Sequence, residues 1–468
     1  VQNLSFLSED SGFHLGEILS CARNEGDFTS RNHKPFNFII LGFLIFFNSN
    51  LLFGQLAPEV WAKITASGAK KRLDLAVAEF SLPKDCAPSL AEIIQNVNSV
   101  LVADLEFSLY FALYRPDSIS LAKGKKLTLD YWAKSGAQVL LSGEVSFRKS
   151  STQLKVTLYD LLLKRPIATK DYKIMENWRW LAHGIADEVI KLLTGEEGVS
   201  QTEIAFSYKT KDGKELGVID YDGANPYMLT NDKGLKLYPD WSPKGDKIAF
   251  CSYDNSNLNL YTYDLIHGKK VQITSRPGLS TTPAWSPDGK VLAVALSDQG
   301  SLNLYQISPD GRNQRRITTS SSVSISPSWS PSGRDIAFVS DRTGVPQIYV
   351  INIDGTDLRR LTFEGSYNTS PAWSPRGDLI AYVSRVGGGI NQIFISDING
   401  ETRMQLTFEG NNEDPFWSPD GLHLAFSSNR RGIWEIYTMT WNGQNQKRIS
   451  NTGGALSPTW SPRLKKIE

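Results

Sequence analysis

Few side chains in this sequence stand at spacings that could do chemistry. The five histidines, His14, His33, His183, His267 and His423, show no metal-ligand spacing, and neither a Gly-x-Ser-x-Gly elbow nor a Gly-x4-Gly-Lys-[Ser/Thr] phosphate loop occurs. His423 sits in the strand-like run Leu422–Phe426 with no partner His, Cys or carboxylate motif, so it reads as a strand histidine and not as a general base. Asp288, Asp310, Asp354 and Asp420 each precede a glycine. Such acids could suggest calcium, but Asp before Gly is also what tight turns select. The expectation is no catalytic residue, no cofactor and no metal. Six tryptophans, Trp241, Trp285, Trp329, Trp373, Trp417 and Trp460, could form a sugar-stacking platform. Their repetition at one position argues instead for packing between structural repeats.

Those tryptophans belong to Pro-x-Trp-Ser-Pro, which the chain writes six times at spacings of 44, 44, 44, 44 and 43 residues. A period of about 40 to 45 residues is that of one four-stranded blade of a β-propeller. After Trp329 the chain turns at Ser330-Pro331-Ser332-Gly333 and enters the β-rich run Asp335–Ser340. Gln347–Ile351 follows, then Asp354-Gly355 as a hairpin signal, then Leu358–Thr362. The other repeats keep this grammar, so each predicts four antiparallel strands.

The sixth Trp-Ser-Pro has no strands after it, whereas residues 203–230 supply strands with no Trp-Ser-Pro before them. The C-terminal strand is therefore expected to complete the blade opened by residues 203–230. A clasp of this kind covers sheet edges that would otherwise invite aggregation.

The chain has 468 residues, 40% hydrophobic and 21% charged, enough for two ordinary domains with cores. A formal net charge of +1 argues against nucleic acid as the main partner. The cysteines are Cys21, Cys86 and Cys251, and no native disulfide is expected. Residues 36–47 form an apolar run preceded by Arg31, His33 and Lys34, too short to span a bilayer and suited to a secretory signal. Residues 1–54 are accordingly read as an N-terminal extension with signal peptide, and 55–71 as a mature arm. The strand Leu73–Ala78, helices over Ser89–Tyr110, Leu127–Lys134 and Glu176–Leu193, and strands over 137–147, 153–159 and 167–172 predict an α/β domain over 72–198. The predicted architecture is this domain followed by a six-bladed all-β propeller over 202–463.

With these parts in order the chain resembles the TolB family of the Tol-Pal system over about residues 59–463. The resemblance rests on the start Glu59-Val60, the strand Leu73–Phe80, the phrase Leu193-Thr194-Gly195 leading to Thr202–Phe206, the six-bladed count and the terminal Pro458-Thr459-Trp460-Ser461-Pro462. Trp-Ser-Pro-Asp-Gly alone recurs in many propellers; the order of the parts is what makes the likeness specific. The resemblance implies a non-enzymatic periplasmic protein linking inner-membrane TolA, met by the mature N-terminus, to the outer-membrane lipoprotein Pal. It implies roles in envelope integrity and in outer-membrane constriction at division. The alternative is the propeller of a hydrolase-associated or sugar-binding periplasmic protein.

Connectivity also predicts which face binds. With strands A to D in each blade and Trp-Ser-Pro ending strand A, the α/β domain enters on the face of the A-to-B turns. The D-to-A loops then lie on the other face, around the channel mouth. They are free of the Ser-Pro-x-Gly turn chemistry, and loops of that kind usually carry specificity. Candidate partner-binding residues there are Lys233, Arg276, Thr281, Ser324, Glu364, Tyr367, Asn368, Asn411, Asn412 and Glu413. The blander reading of each is a solvated loop tip.

Overall fold

The structure is a computed structural model that describes residues 72–114, 128–148, 151–174, 177–254, 257–298 and 300–464. The expected signal at 36–47 and the arm at 55–71 lie outside the described residues. Two compact units divide after Trp178.

The first unit holds β1 (Leu73–Val77), α1 (Pro88–Phe107), β2 (Phe111–Tyr114), α2 (Leu129–Ala133), β3 (Val139–Arg148), β4 (Ser151–Asp160) and β5 (Arg165–Lys173). Its sheet runs β2-β1-β3-β4-β5, with β1 parallel to β2 and β3 and the remaining pairs antiparallel. α1 starts with Pro88 in its first turn, where a missing N–H costs nothing. Ile94, Val97, Leu101, Val102 and Leu105 recur at helical spacing and are its buried stripe. The helix stops where the Ser108 hydroxyl donates to the Leu105 carbonyl at 2.7 Å and Leu109 adopts φ 64°. β2, absent from the sequence reading, has only four residues, too few for its alternation to register.

The second unit is the propeller. Its blades are β9 (Lys236–Trp241), β10 (Lys247–Asp254), β11 (Asn257–Asp264) and β12 (Lys269–Gln272) for blade I, and β13 (Ser280–Trp285), β14 (Leu292–Asp298), β15 (Ser301–Ile307) and β16 (Gln314–Arg316) for blade II. Blade III is β17 (Ser324–Trp329), β18 (Asp335–Ser340), β19 (Gln347–Asn352) and β20 (Arg359–Arg360). Blade IV is β21 (Asn368–Trp373), β22 (Leu379–Val386), β23 (Ile390–Asp397) and β24 (Met404–Gln405). Blade V is β25 (Asn412–Trp417), β26 (His423–Ser428), β27 (Glu435–Thr440) and β28 (Lys447–Arg448). Blade VI closes the ring. The C-terminal β29 (Ala455–Trp460) pairs antiparallel with β6 (Glu203–Thr210), followed by β7 (Gly213–Asp220) and β8 (Tyr227–Met228). This is the clasp that the repeat count predicts.

The outermost strands are shorter than expected: in blade III only Arg359 and Arg360 pair, not Leu358–Thr362. Leu361 and Thr362 leave the ladder because both N–H groups turn to the Ile348 carbonyl, and the Thr362 hydroxyl accepts from the Ile348 N–H at 2.9 Å. The turn acids serve the turns. Asp288, Asp310, Asp354 and Asp420 accept from the N–H of Lys290, Arg312, Thr356 and Leu422 at 2.9–3.1 Å.

The six repeat tryptophans are all at most 9% exposed. Trp329 Nε1 donates to the Ala284 carbonyl at 3.0 Å and Trp417 Nε1 to the Ala372 carbonyl at 2.9 Å, each reaching the inner strand of the preceding blade. These two therefore bond blade to blade, whereas Trp373 Nε1 reaches the Gly377 carbonyl of its own blade at 3.5 Å. Trp329→Ala is expected to destabilise the propeller by about 3 kcal/mol through lost packing and the residual cavity. Urea denaturation followed by circular dichroism measures this, and an equally stable variant would show that Trp329 packs little.

The helix α3 (Trp178–Thr194), assigned from sequence to the α/β domain, groups from Arg179 onward with the propeller. The buried Asp187 carboxylate accepts from the N–H of Ser200 at 2.9 Å and of Gln201 at 3.0 Å, and lies 3.4 Å from Arg463 Nε. Among the described residues no helix is long and apolar enough to cross a membrane.

Candidate functional site

Up-and-down strand order puts the D-to-A loops and the B-to-C loops on the same face. One interaction fixes the base of every D-to-A loop there. The hydroxyls of Thr230, Thr274, Thr318, Thr362, Thr407 and Ser450 accept from the N–H of Leu216, Leu260, Leu304, Ile348, Ile393 and Ile436 at 2.8–2.9 Å. A loop of four or five residues then leads into the next inner strand, whose first side chain turns back into the wall.

That geometry corrects part of the sequence-based set. Asn368 is buried, and its Nδ2 donates to Gln347 Oε1 at 2.8 Å and to the Glu364 carbonyl at 2.8 Å. Asn412 is buried in the same way against Gln392 Oε1 at 3.0 Å. Ser324 and Thr281, the first and second residues of their inner strands, are also fully buried. These four hold the wall and present no side chain to a partner. In blade I the same position is Lys236, buried against Glu215 at 3.3 Å.

The other six remain at the surface, and three of them come together. Lys233 pairs with Asp212 at 3.6 Å, Arg276 donates to the Ser297 carbonyl at 2.8 Å, and Glu364 pairs with Arg403 at 2.7 Å. Tyr367, Asn411 and Glu413 meet at the mouth through two residues that the sequence reading missed, Arg385 and Asn391. The Arg385 guanidinium lies 3.8 Å over the Tyr367 ring, and its Nε donates to Asn391 Oδ1 at 3.3 Å. Asn391 Nδ2 donates to Glu413 Oε1 at 2.8 Å, and its N–H donates to Asn411 Oδ1 at 2.9 Å. Lys214 and Asp414 line the same pocket. Burial pulls the Lys214 ammonium below its ordinary range, with the Asp414 carboxylate opposing. Arg385, Asn391 and Lys214 come from strands B and C, and the alternation of strand direction was the signal that could have found them.

Below the mouth the inner strands enclose a channel of about 410 Å³ walled by the prolines and tryptophans of the repeat. The residue before each first proline has left-handed backbone: Tyr238, Thr282, Ser326, Ser370, Asp414 and Ser457 have φ of 48–53°. A following proline disfavours the right-handed helical region, and each residue sits where the inner strand shifts register against its neighbour. Among the described residues no Lys or Arg lines the channel, but two carboxylates do. Asp414 accepts from the hydroxyls of Ser370 at 3.1 Å and Ser457 at 2.8 Å. Asp240 accepts from the Trp285 N–H at 2.7 Å, and burial pushes its carboxyl up to about 7.

Among the described residues, one set of side chains has ligand atoms close enough for a metal. His183, Asp220 and Asp222 bring such atoms within 4.8 Å of one another. The Arg179 guanidinium already pairs with Asp222 and lies 3.9 Å from Asp220, so these acids anchor α3 with a cation from the chain itself. His423 is buried, with Nδ1 3.7 Å from the Asp420 carboxylate.

A six-bladed propeller closed by its C-terminal strand, preceded by a small α/β unit and carrying a polar cluster at its channel mouth, defines a class of two-part propeller proteins. The TolB beta propeller domain matches residues 190–464 and the TolB amino-terminal domain matches residues 63–167. The chain belongs to the TolB family. It is 31% identical over 239 residues to the Tol-Pal system protein TolB of Rickettsia massiliae (strain Mtu5), covering 48% of this chain and 52% of that one. To the protein of the same name from Jannaschia sp. (strain CCS1) it is 32% identical over 197 residues, covering 40% and 44%. The match thus spans about half the length of these relatives, or less. The crystal structure of TolB from Acinetobacter baumannii superposes with a TM-score of 0.71 at 25% identity, covering 84% of this chain and 97% of that one.

Proposed function

We propose that this protein is a non-enzymatic periplasmic component of a Tol-Pal system, linking inner-membrane TolA to the outer-membrane lipoprotein Pal. In this role it supports envelope integrity and outer-membrane constriction at division. Family membership and the shared name of the relatives support the system. The apolar run at 36–47 supports export to the periplasm. TolA meets the mature N-terminal arm at 55–71, by addition of a strand.

Pal docks over the channel mouth, and the observation that carries this is the cluster of Tyr367, Arg385, Asn391, Asn411 and Glu413. An arginine stacked on a tyrosine beside a small pocket is the composition in which binding hot spots concentrate. The combined change Tyr367→Ala and Arg385→Glu is expected to weaken binding of the soluble domain of the Pal-like lipoprotein at least tenfold without lowering the melting temperature. Calorimetric titration measures the affinity. Unchanged affinity in this variant, with loss from changes on the Ser-Pro-x-Gly face, would put the site on the wrong side.

A further inference from the structure

Outside the mouth, the same face carries an apolar sector that the pocket does not include. The first residue after the anchoring hydroxyl is Asn231, Ser275, Thr319, Phe363, Phe408 and Asn451 in the six D-to-A loops. It is aromatic only in the two loops that follow blades III and IV. Phe363 is 67% and Phe408 73% exposed, an unusual state for phenylalanine. The B-to-C loops of blades III and V add exposed Val345 and Ile433, and exposed Ile390 opens strand C of blade IV. Five exposed apolar side chains thus fall on one face of three consecutive blades.

Charge is the second feature of this sector. Arg342 and Arg430 occupy equivalent positions after strand B of blades III and V, stacked over Tyr349 and Tyr437 at 4.8 and 4.7 Å. Their hydrogen bonds go to neutral oxygens: Arg342 Nε to Ser340 Oγ at 3.0 Å, and Arg430 Nη1 and Nη2 to Gln446 Oε1 at 2.6 Å and Asn412 Oδ1 at 2.9 Å. Neither forms an ion pair among the described residues, and exposed Arg431 stands beside them without one. Glu364, by contrast, is already paired with Arg403. Asp341 near Arg342 and exposed Glu409 near Arg430 offset part of this charge, so the three arginines leave a cationic excess of one over these two carboxylates.

We propose that the partner seated over the mouth extends across blades III to V with an acidic amphipathic segment, its apolar side chains on Phe363 and Phe408 and its carboxylates on Arg342, Arg430 and Arg431. This rests on the reading that a Pal-like lipoprotein docks on this face. It adds the side toward which the partner leans and the chemistry of its outer contact. Apolar anchors ringed by arginines discriminate through both terms at once, since a neutral segment leaves the guanidinium groups unmet and a purely polar one leaves the rings in water.

The test titrates the full chain with the soluble domain of the Pal-like lipoprotein, at 50 and at 500 mM NaCl. The double change Phe363→Ser and Phe408→Ser is expected to weaken binding at least tenfold, and Arg431→Glu at least threefold at the lower salt with much of that difference gone at the higher. All these side chains are exposed, so melting temperatures are expected to stay with the parent, and Thr319→Ala on the polar side is expected to bind as the parent does. Full affinity in the phenylalanine variant, or an Arg431→Glu effect that salt does not change, overturns the proposal. Loss of binding in the mouth variant but not in the phenylalanine variant would overturn this inference alone. Full affinity in both variants would overturn the docking reading as well.

Discussion

A chain that ends at Ala455, the first residue of β29, with residues 456–468 removed, is expected to lose the cooperative fold of the propeller and to aggregate. Blade VI takes its inner strand only from the C-terminus, so the deletion leaves β6 with an unpaired edge facing the channel. Trp460 is 3% exposed, and burying an indole of about 200 Å² is worth roughly 5 kcal/mol. Its Nε1 also donates to Thr202 Oγ1 at 2.7 Å. Arg463 goes with the strand, removing its contacts with buried Asp187 and with Glu197. That leaves the Asp187 carboxylate without the cation beside it. Together these losses are comparable to the whole stability of a domain, about 5 to 15 kcal/mol. Size-exclusion chromatography and a thermal melt followed by tryptophan fluorescence measure the outcome. A truncated chain that stays monomeric and melts with the intact protein would refute the closure.

The clasp was legible because a period of 44 residues, once tied to one blade, leaves the two chain ends as complementary remainders. Which loop residues face outward was less legible. Asn368 and Asn412 look like loop polars, since a side chain that bonds a buried glutamine and one that bonds water have the same composition. The clue lay in register: both are the first residue of an inner strand, and the equivalent residues in four other blades, Lys236, Ser280, Ser324 and Ala455, are buried as well. Arg385 and Asn391 lie on the strands that flank a B-to-C loop, which strand alternation puts beside the D-to-A loops, so loop composition alone does not single them out. The amphipathic stripe of α3 showed that it must pack, but a stripe does not say on which domain. Asp240 was visible as an exception, the one carboxylate at a position held elsewhere by Ala284, Ser328, Ala372, Phe416 and Thr459. Its consequence needed the burial.

That consequence is a dependence of stability on pH that one isosteric change should remove. Burial raises the Asp240 carboxyl from the ordinary 3.8 to about 7, so the folded chain holds this proton more tightly than the unfolded chain does. Between those two values unfolding releases a proton, and stability falls as pH rises. The contribution is fully present below pH 3.8 and is lost on passing through 7, by about 4 kcal/mol in all for a shift of this size. Turn acids act in a different window and with the opposite sign. The Ser286 hydroxyl and the Lys290 N–H hold Asp288 down at about 2, so its contribution is lost only as pH falls below 3.8. In Asp240→Asn the amide oxygen can still accept from the Trp285 N–H, and the amide nitrogen can donate to Thr459 Oγ1, now 3.5 Å from the carboxylate. The stability of the variant minus that of the parent is therefore expected to climb by about 4 kcal/mol between pH 4 and pH 8. Urea titrations at one-unit steps, read by tryptophan fluorescence, give that difference directly. Curves that run parallel across the range would mean that Asp240 ionises as freely in the folded channel as in the unfolded chain.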